Sequence, residues 1–239
     1  MGPEPAAAIA QIQANIRAAC ARSGRRPEEV TLLAASKTVE PERIRAAYAA
    51  GVRAFGENRV QERAAKQAAL ADLAIEWHLL GPLQSNKAAR ALELFDVVET
   101  VDSLPLAERL NRLAPSLARG PLRVLIEVNV AQEAQKHGVA PDAVAALARA
   151  VVALPHLRLE GLMGIPPAAE EPEASRPHFR ALAALHREVR SGLPAPPPRW
   201  ELSMGMSHDY EVAVEEGATL VRVGTAIFGA RPPLPHAGD

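Results

Sequence analysis

The chain has 239 residues, 48% of them hydrophobic and 23% charged, with a net charge of −1. That length supports one large core or two small ones, and the near-neutral charge removes the electrostatic case for nucleic acid or an anionic membrane surface. No apolar stretch approaches the ~18 residues of a membrane span, and the opening MGPEPAAAIAQIQANIR lacks a signal-peptide layout, so a soluble, cytoplasmic protein is expected.

A leading helix over 6–23 carries the single cysteine, Cys20. One cysteine excludes an intrachain disulfide and a cysteine metal cluster, and its Ala-rich helical setting predicts a packing role. Strand-like runs then alternate with helical ones: VTLLAASK (30–37), VRAFGEN (52–58), EWHLLG (76–81) and VVETVD (97–102), followed by LRVLIEVNV (122–130), LRLEGLMGI (157–165), WELSMGM (200–206) and TLVRVGTAIFG (219–229). Between them lie helical stretches such as PERIRAAYAAG, started by Pro41 and stopped by Gly51. LPLAERLNRLAPSLARG and APDAVAALARAVVAL also have an apolar spacing closer to a helical period than to alternation. Many strands are nearly continuous apolar runs, as a sheet buried on both faces requires. Eight β-then-α units after one helix predict an α/β fold, a (β/α)8 barrel forming a single domain over 1–239; a doubly wound open sheet is the alternative. The proline-rich pieces IPPAAEEPEASRP and GLPAPPPRW flank one long helix, and the acidic loop 166–177 could act as a mobile lid.

Chemistry in such a barrel collects at the carboxyl ends of the strands. Those ends carry Lys37, Glu57, Asn58, Gly81, Asn129, Gly164, Ser203 to Ser207 and Arg222 to Thr225. The two-residue period puts Lys37 on the face of Leu33 and Ala35, pointing into the barrel mouth. Burial there favours the neutral amine, which can attack an aldehyde to form a Schiff base; a lysine snorkelling to water is the other reading. Arg222, flanked by valines in the last strand, is a permanent charge that needs a partner. Gly224 and Thr225 follow it, where backbone N–H groups can approach an anion. Ser207 lies at or just before the start of a short helix, suited to an anion or to capping, with Asp209 able to share the capping. An amine, a phosphate cradle and a buried cation match pyridoxal 5′-phosphate (PLP). A Schiff-base aldolase would also use the lysine and the cradle, but leaves Arg222 unexplained.

The motifs SKT (36–38), FGENRVQE (55–62), WHLLGPLQSNK (77–87), VNVAQEAQKHGV (128–139), GLMGI (161–165), LSMGMSHD (202–209) and VRVGTAIFG (221–229) together resemble the pyridoxal phosphate homeostasis proteins, which look like the barrel domain of alanine racemase standing alone. The resemblance implies that Lys37 carries PLP as a Schiff base, that Ser207, Gly224 and Thr225 hold the phosphate, and that Arg222 faces the pyridine nitrogen. It implies a cofactor-lining role for Asn58 and places His78, Ser203 and Met206 near the pocket. For His78 a buried ring bonded to backbone is the competing expectation. Glu57 and Gln61 are expected to begin a helix, in capping or interhelical contact, and Lys87 to be a solvated helix residue. Arg59 stands where many relatives carry an aromatic residue. An arginine facing the ring nitrogen leaves it unprotonated, a poor electron sink. Alanine racemase adds an acid/base residue from a second domain, and ten residues after Gly229 leave no room for one here. The expected function is therefore a monomeric carrier in vitamin B6 homeostasis that supplies PLP to apo-enzymes without robust catalysis. A weak PLP-dependent amino-acid racemase is the alternative.

Overall fold

The computed structural model describes residues 4–117, 120–133 and 135–229. Eight parallel strands close into a barrel in chain order: β1 (Thr31–Ala35), β2 (Ala54–Glu57), β3 (Glu76–Leu79), β4 (Val97–Val101), β5 (Leu122–Val128), β6 (Leu157–Gly164), β7 (Glu201–Met206) and β8 (Leu220–Val223). The ring is sealed by β1 against β8, with Leu33 beside Arg222 and Ala34 beside Val223. The open-sheet alternative is thereby excluded.

Helices α1 (Pro5–Ser23), α2 (Pro41–Ala49), α3 (Val60–Lys66), α4 (Ala88–Leu94), α5 (Leu104–Leu113), α6 (Val144–Val152), α7 (Arg176–Ser191), α8 (Tyr210–Glu215) and α9 (Thr225–Phe228) cover the barrel. The predicted leading helix is α1. Its Ile9, Ile12 and Ile16 recur at helical spacing and are buried, each contributing roughly 1.5–3 kcal/mol relative to exposure. Gly24 stops α1 in a left-handed conformation, φ 67°, a geometry glycine adopts without a Cβ penalty. Cys20 lies on this buried face, as its packing role requires.

Two differences from the predicted elements bear on the site. The run TLVRVGTAIFG is a four-residue strand that breaks at Gly224 into α9, because its second apolar half packs outward as a helix turn. Strand β1 stops at Ala35, so Lys37 stands two residues beyond it in a turn, followed by Thr38 at φ 61°. The predicted helix over 104–120 ends at Leu113 and continues as a 3-10 turn, Ala114–Ser116; residues 118 and 119 lie outside the described residues, as does 134 of the motif 128–139. The acidic loop ends in a 3-10 turn, Pro172–Ser175, where the Ser175 hydroxyl donates to Asp209 (2.8 Å) and Arg176 pairs with Glu215 and Glu216. Among the described residues no helix is long and apolar enough to cross a membrane.

Two layers of apolar residues follow from strand alternation. Ala34, Val124, Ile126, Leu202, Met204, Val221 and Val223 face the helices. Leu33, Ala35, Ala54, Leu80 and Leu220 form one inner cluster, and Val97, Leu125, Met163 and Ile165 another. The inner face therefore continues upward through residues 127 and 222 toward the carboxyl ends of the strands, where barrel sites form, with Lys37 in the turn beyond β1.

Candidate functional site

Lys37 lines a cavity of about 220 Å3 with Ala35, Thr38, Glu40, Arg43, Gly224 and Thr225. Residues almost two hundred positions apart meet here because β1 and β8 are neighbours. Lys37 is half-buried, between the two sequence readings of a buried amine and a snorkelling one. A larger cavity of about 590 Å3, lined by Arg17, Thr31, Gly51 and Arg53, opens at the amino-terminal ends of the strands; it is at the wrong end for barrel chemistry.

Gly224 permits a close approach, since a Cβ there would stand 3.1 Å from the Ala35 carbonyl oxygen and 3.4 Å from the Ala35 Cβ. Directly after it the backbone turns into α9, and the N–H groups of Gly224 and Ala226 both donate to the Ser207 hydroxyl oxygen, at 3.1 and 3.2 Å. Ser207 therefore caps the turn after β8 instead of starting α8, the alternative expected from sequence. Asp209 holds that place, accepting from the Met206 N–H (2.8 Å) and from Ser175. Two backbone donors converging on one oxygen form a small anion cradle. Met206 ends β7 beside Arg222 and is exposed at 38%.

Arg222 is buried deeper, and its partners answer the question the sequence posed. Its guanidinium donates to the Ser203 hydroxyl at 2.6 Å and to the Gly164 carbonyl oxygen at 3.0 Å. Ser203 in turn donates to Glu99 (2.6 Å), whose other oxygen meets His78 Nδ1 at 2.6 Å. The second nitrogen of His78 meets Glu76 (3.0 Å), and Glu76 accepts from Arg123. Arg123 also donates to Glu160 (2.7 Å). A continuous row of polar side chains thus runs through the barrel from Arg222 to Arg123. With a carboxylate on each ring nitrogen, His78 is held as an imidazolium. Burial opposes that charge, but Glu76 and Glu99 overcome it and hold its pKa above the ordinary value. The same contacts hold Glu76 at about 2. His78 is therefore bonded to two carboxylates rather than to backbone, and it reaches the site only through Glu99 and Ser203.

Asn58 follows β2 and lines a neighbouring cavity of about 370 Å3 with Arg59, Gln61, Leu83 and Lys87. Its carbonyl lies so near Gly81 that a Cβ there would meet it at 2.2 Å, which requires glycine at that point. Lys87 is half-buried in a 3-10 turn, Ser85–Lys87, ahead of α4. Glu57 does not begin a helix: it closes β2, fully buried. One of its oxygens accepts from the Ser36 hydroxyl (2.7 Å) and from the Lys66 ammonium (2.7 Å), while Lys66 also donates to the Ser36 carbonyl oxygen (2.8 Å). Burial pushes the Glu57 carboxyl up, against the downward pull of Lys66 and Ser36. The residue preceding Lys37 is thereby clamped on both its hydroxyl and its carbonyl.

Sequence reasoning passed over Glu99, Glu127 and Lys66. A carboxylate inside the apolar runs VVETV and VLIEV was the available signal for the first two, because an acidic group in a strand buried on both faces demands a partner. Glu127 sits on the inward face at the carboxyl end of β5, and one of its oxygens has no hydrogen-bond partner among the described residues. Among those residues no group of three or more potential ligands is placed to hold a metal ion.

Comparison with known proteins agrees with the barrel. A profile of the alanine racemase N-terminal domain matches residues 8–232. The fold is shared with alanine racemase of Clostridium difficile (TM-score 0.71, 15% identity), of which this chain spans 58% while 91% of this chain is matched. The structure of PipY from Synechococcus elongatus, described with PLP bound, superposes with a TM-score of 0.78 at 44% identity, over 90% of this chain and 99% of that one. A pyridoxal phosphate homeostasis protein of Pseudomonas aeruginosa is 49% identical over 223 residues, 93% of this chain and 94% of its own. With that identity sustained across nearly the whole barrel, the chain belongs to the pyridoxal phosphate homeostasis protein family.

Proposed function

We propose that the protein holds PLP reversibly at the carboxyl end of its barrel, as a single-domain monomer, and releases it to apo-enzymes. The observation that carries this reading is the meeting of Lys37 with Gly224 and Thr225 around one cavity. The Gly224 N–H donates, with that of Ala226, to Ser207, which lines a separate cavity of about 460 Å3 with Asp209 and Tyr210. When bound, the cofactor supplies an aldehyde that a primary amine can capture. Lys37 provides that amine, and the turn Gly224–Ala226 provides N–H donors for phosphate oxygens, with the Ser207 hydroxyl as a further donor. Thr225 lines the same cavity. Arg222 would meet the ring nitrogen. Two of its five N–H donors serve Ser203 and Gly164, leaving donors on the same group. The PLP-bound structure of the Synechococcus relative and the name of the Pseudomonas relative support the same ligand.

The site favours holding over turnover. A permanently charged Arg222 gives the ring nitrogen no proton, so the ring withdraws electrons weakly. The Ser203 and Gly164 contacts fix the guanidinium in place against that role changing.

The test is the absorbance of the purified protein before and after PLP is added. A visible band that is removed by borohydride and missing in Lys37→Ala is the expected result; no uptake, or uptake indifferent to Lys37, overturns the reading. Incubation with single enantiomers of amino acids separates carrier from racemase, since robust Lys37-dependent racemisation contradicts a holding role.

A further inference from the structure

Glu127 stands apart from the row of paired charges in the barrel. It lies on the inner face of β5, two positions above Leu125 of the inner apolar cluster, and is only 8% exposed. Its Oε2 has no hydrogen-bond partner among the described residues. A buried, unpartnered carboxyl oxygen is costly and is retained where something else completes it. The groups around it are Glu99 and Asp102 from β4 and the turn after it, and Arg222 from β8. Behind it, the Val139 N–H donates to the Glu127 carbonyl oxygen, in the segment that also carries Lys136 and His137. The β6 neighbour, Met163, is apolar.

Burial is the main influence on this carboxyl and pushes it up to about 7; Asp102 and Glu99 push the same way, and Arg222 opposes them. A group so placed carries its proton through the lower half of the physiological range and can act as a donor, unlike Glu76 and Glu99, whose partners hold them below the ordinary carboxylate range.

We propose that Glu127 is a further ionisable contact of the bound cofactor, its unpartnered carboxyl meeting, from the inner face of the barrel mouth, an oxygen of a phosphorylated pyridine aldehyde. The inference rests on the proposed function and adds a proton-linked term to it. As pH rises through the titration of Glu127, the donor becomes an anion beside an anionic ligand, and affinity falls. A single linked proton allows at most about a tenfold change in dissociation constant per pH unit.

The experiment is a PLP titration of the apoprotein, followed by absorbance, at half-unit steps from pH 6 to pH 9. Wild type, Glu127→Gln and Glu127→Leu are compared. Titration of the ligand and of Lys37 is common to all three, so the ratio of wild-type to variant dissociation constants isolates Glu127. The expected result is a ratio that rises at least about fivefold between pH 6.5 and pH 8.5, within the single-proton limit, for both variants. A ratio flat with pH in Glu127→Gln overturns the inference while leaving the carrier reading intact. Failure of the wild type to take up PLP at any pH overturns both. Should Glu127→Gln fold poorly, Glu127→Leu decides by the same criterion, since it too lacks the titrating group.

Discussion

Replacing Lys66 by methionine tests how the turn bearing Lys37 is held. Lys66 is buried, pairs with fully buried Glu57 at 2.7 Å and grips the Ser36 carbonyl at 2.8 Å. Methionine keeps much of the stem but removes the ammonium, leaving Glu57 with the Ser36 hydroxyl and the nearby Glu62 carboxyl, which raises its pKa further, and with its second oxygen unpartnered among the described residues. Breaking a buried ion pair from one side costs about 3–5 kcal/mol, which for a chain of this size lowers the thermal midpoint by roughly 6–20 °C. The cost depends on pH in a defined direction. Without Lys66 the folded-state pKa of Glu57 rises further above its unfolded value of about 4.3, so the folded variant binds the extra proton. Its stability is greatest below the unfolded value and is lost as pH rises through the folded one, by up to about 1.4 kcal/mol per pH unit in that window. Urea unfolding of wild type, Lys66→Met, Glu57→Gln and the double variant, at pH 5 and pH 8, measures both the penalty and the coupling. In the double variant a neutral amide replaces the unpaired charge, so it should be more stable than Lys66→Met at pH 8. A Lys66→Met penalty below about 1 kcal/mol, or one that shrinks as pH rises, would refute the clamp.

Ser207→Ala removes the acceptor shared by the Gly224 and Ala226 N–H groups. With both N–H groups left without that acceptor, the apoprotein should lose roughly 1–3 kcal/mol of stability, read by urea unfolding; an unchanged stability would show that the hydroxyl does not hold this turn. Glu76→Gln addresses the other end of the polar row. The Glu76 pKa is depressed to about 2 by His78 and Arg123, so its stabilisation is present above the unfolded value and is lost as pH falls toward 2. Allowing for solvent at this partly exposed group, that is about 1–2 kcal/mol. Acid unfolding of Glu76→Gln should therefore show a shallower loss of stability between pH 5 and pH 3 than wild type.

The barrel was legible because strands buried on both faces must be apolar nearly throughout, and eight such runs stand in order along the chain. Strand ends were less legible. TAIFG is as apolar as a strand, and only the packing of Ile227 and Phe228 into the outer layer makes it a helix turn. The placement of Lys37 beside Gly224 was implied by barrel closure, whereas the partners of Arg222 were not. Ser203 and Glu99 are 104 positions apart, and local pattern carries no information about which inward residue on one strand meets which on another. Glu57 stands at the end of the run VRAFGEN, but its pairing with Lys66 depends on α3 folding back over β2, which local pattern does not reveal.

The hydroxyl of Ser207 already satisfies the two backbone donors of the turn after β8. Donors stripped of water and left bare would bind an anion tightly, because nothing would have to be given up. On the proposed binding mode an incoming phosphate would replace an existing hydrogen bond, and only the difference between a charged and a neutral acceptor would favour it. A cradle provided with its own internal acceptor makes departure of the ligand cheap, since the turn closes on Ser207 again without waiting for solvent. Such an exchange would suit the reversible holding proposed for this protein.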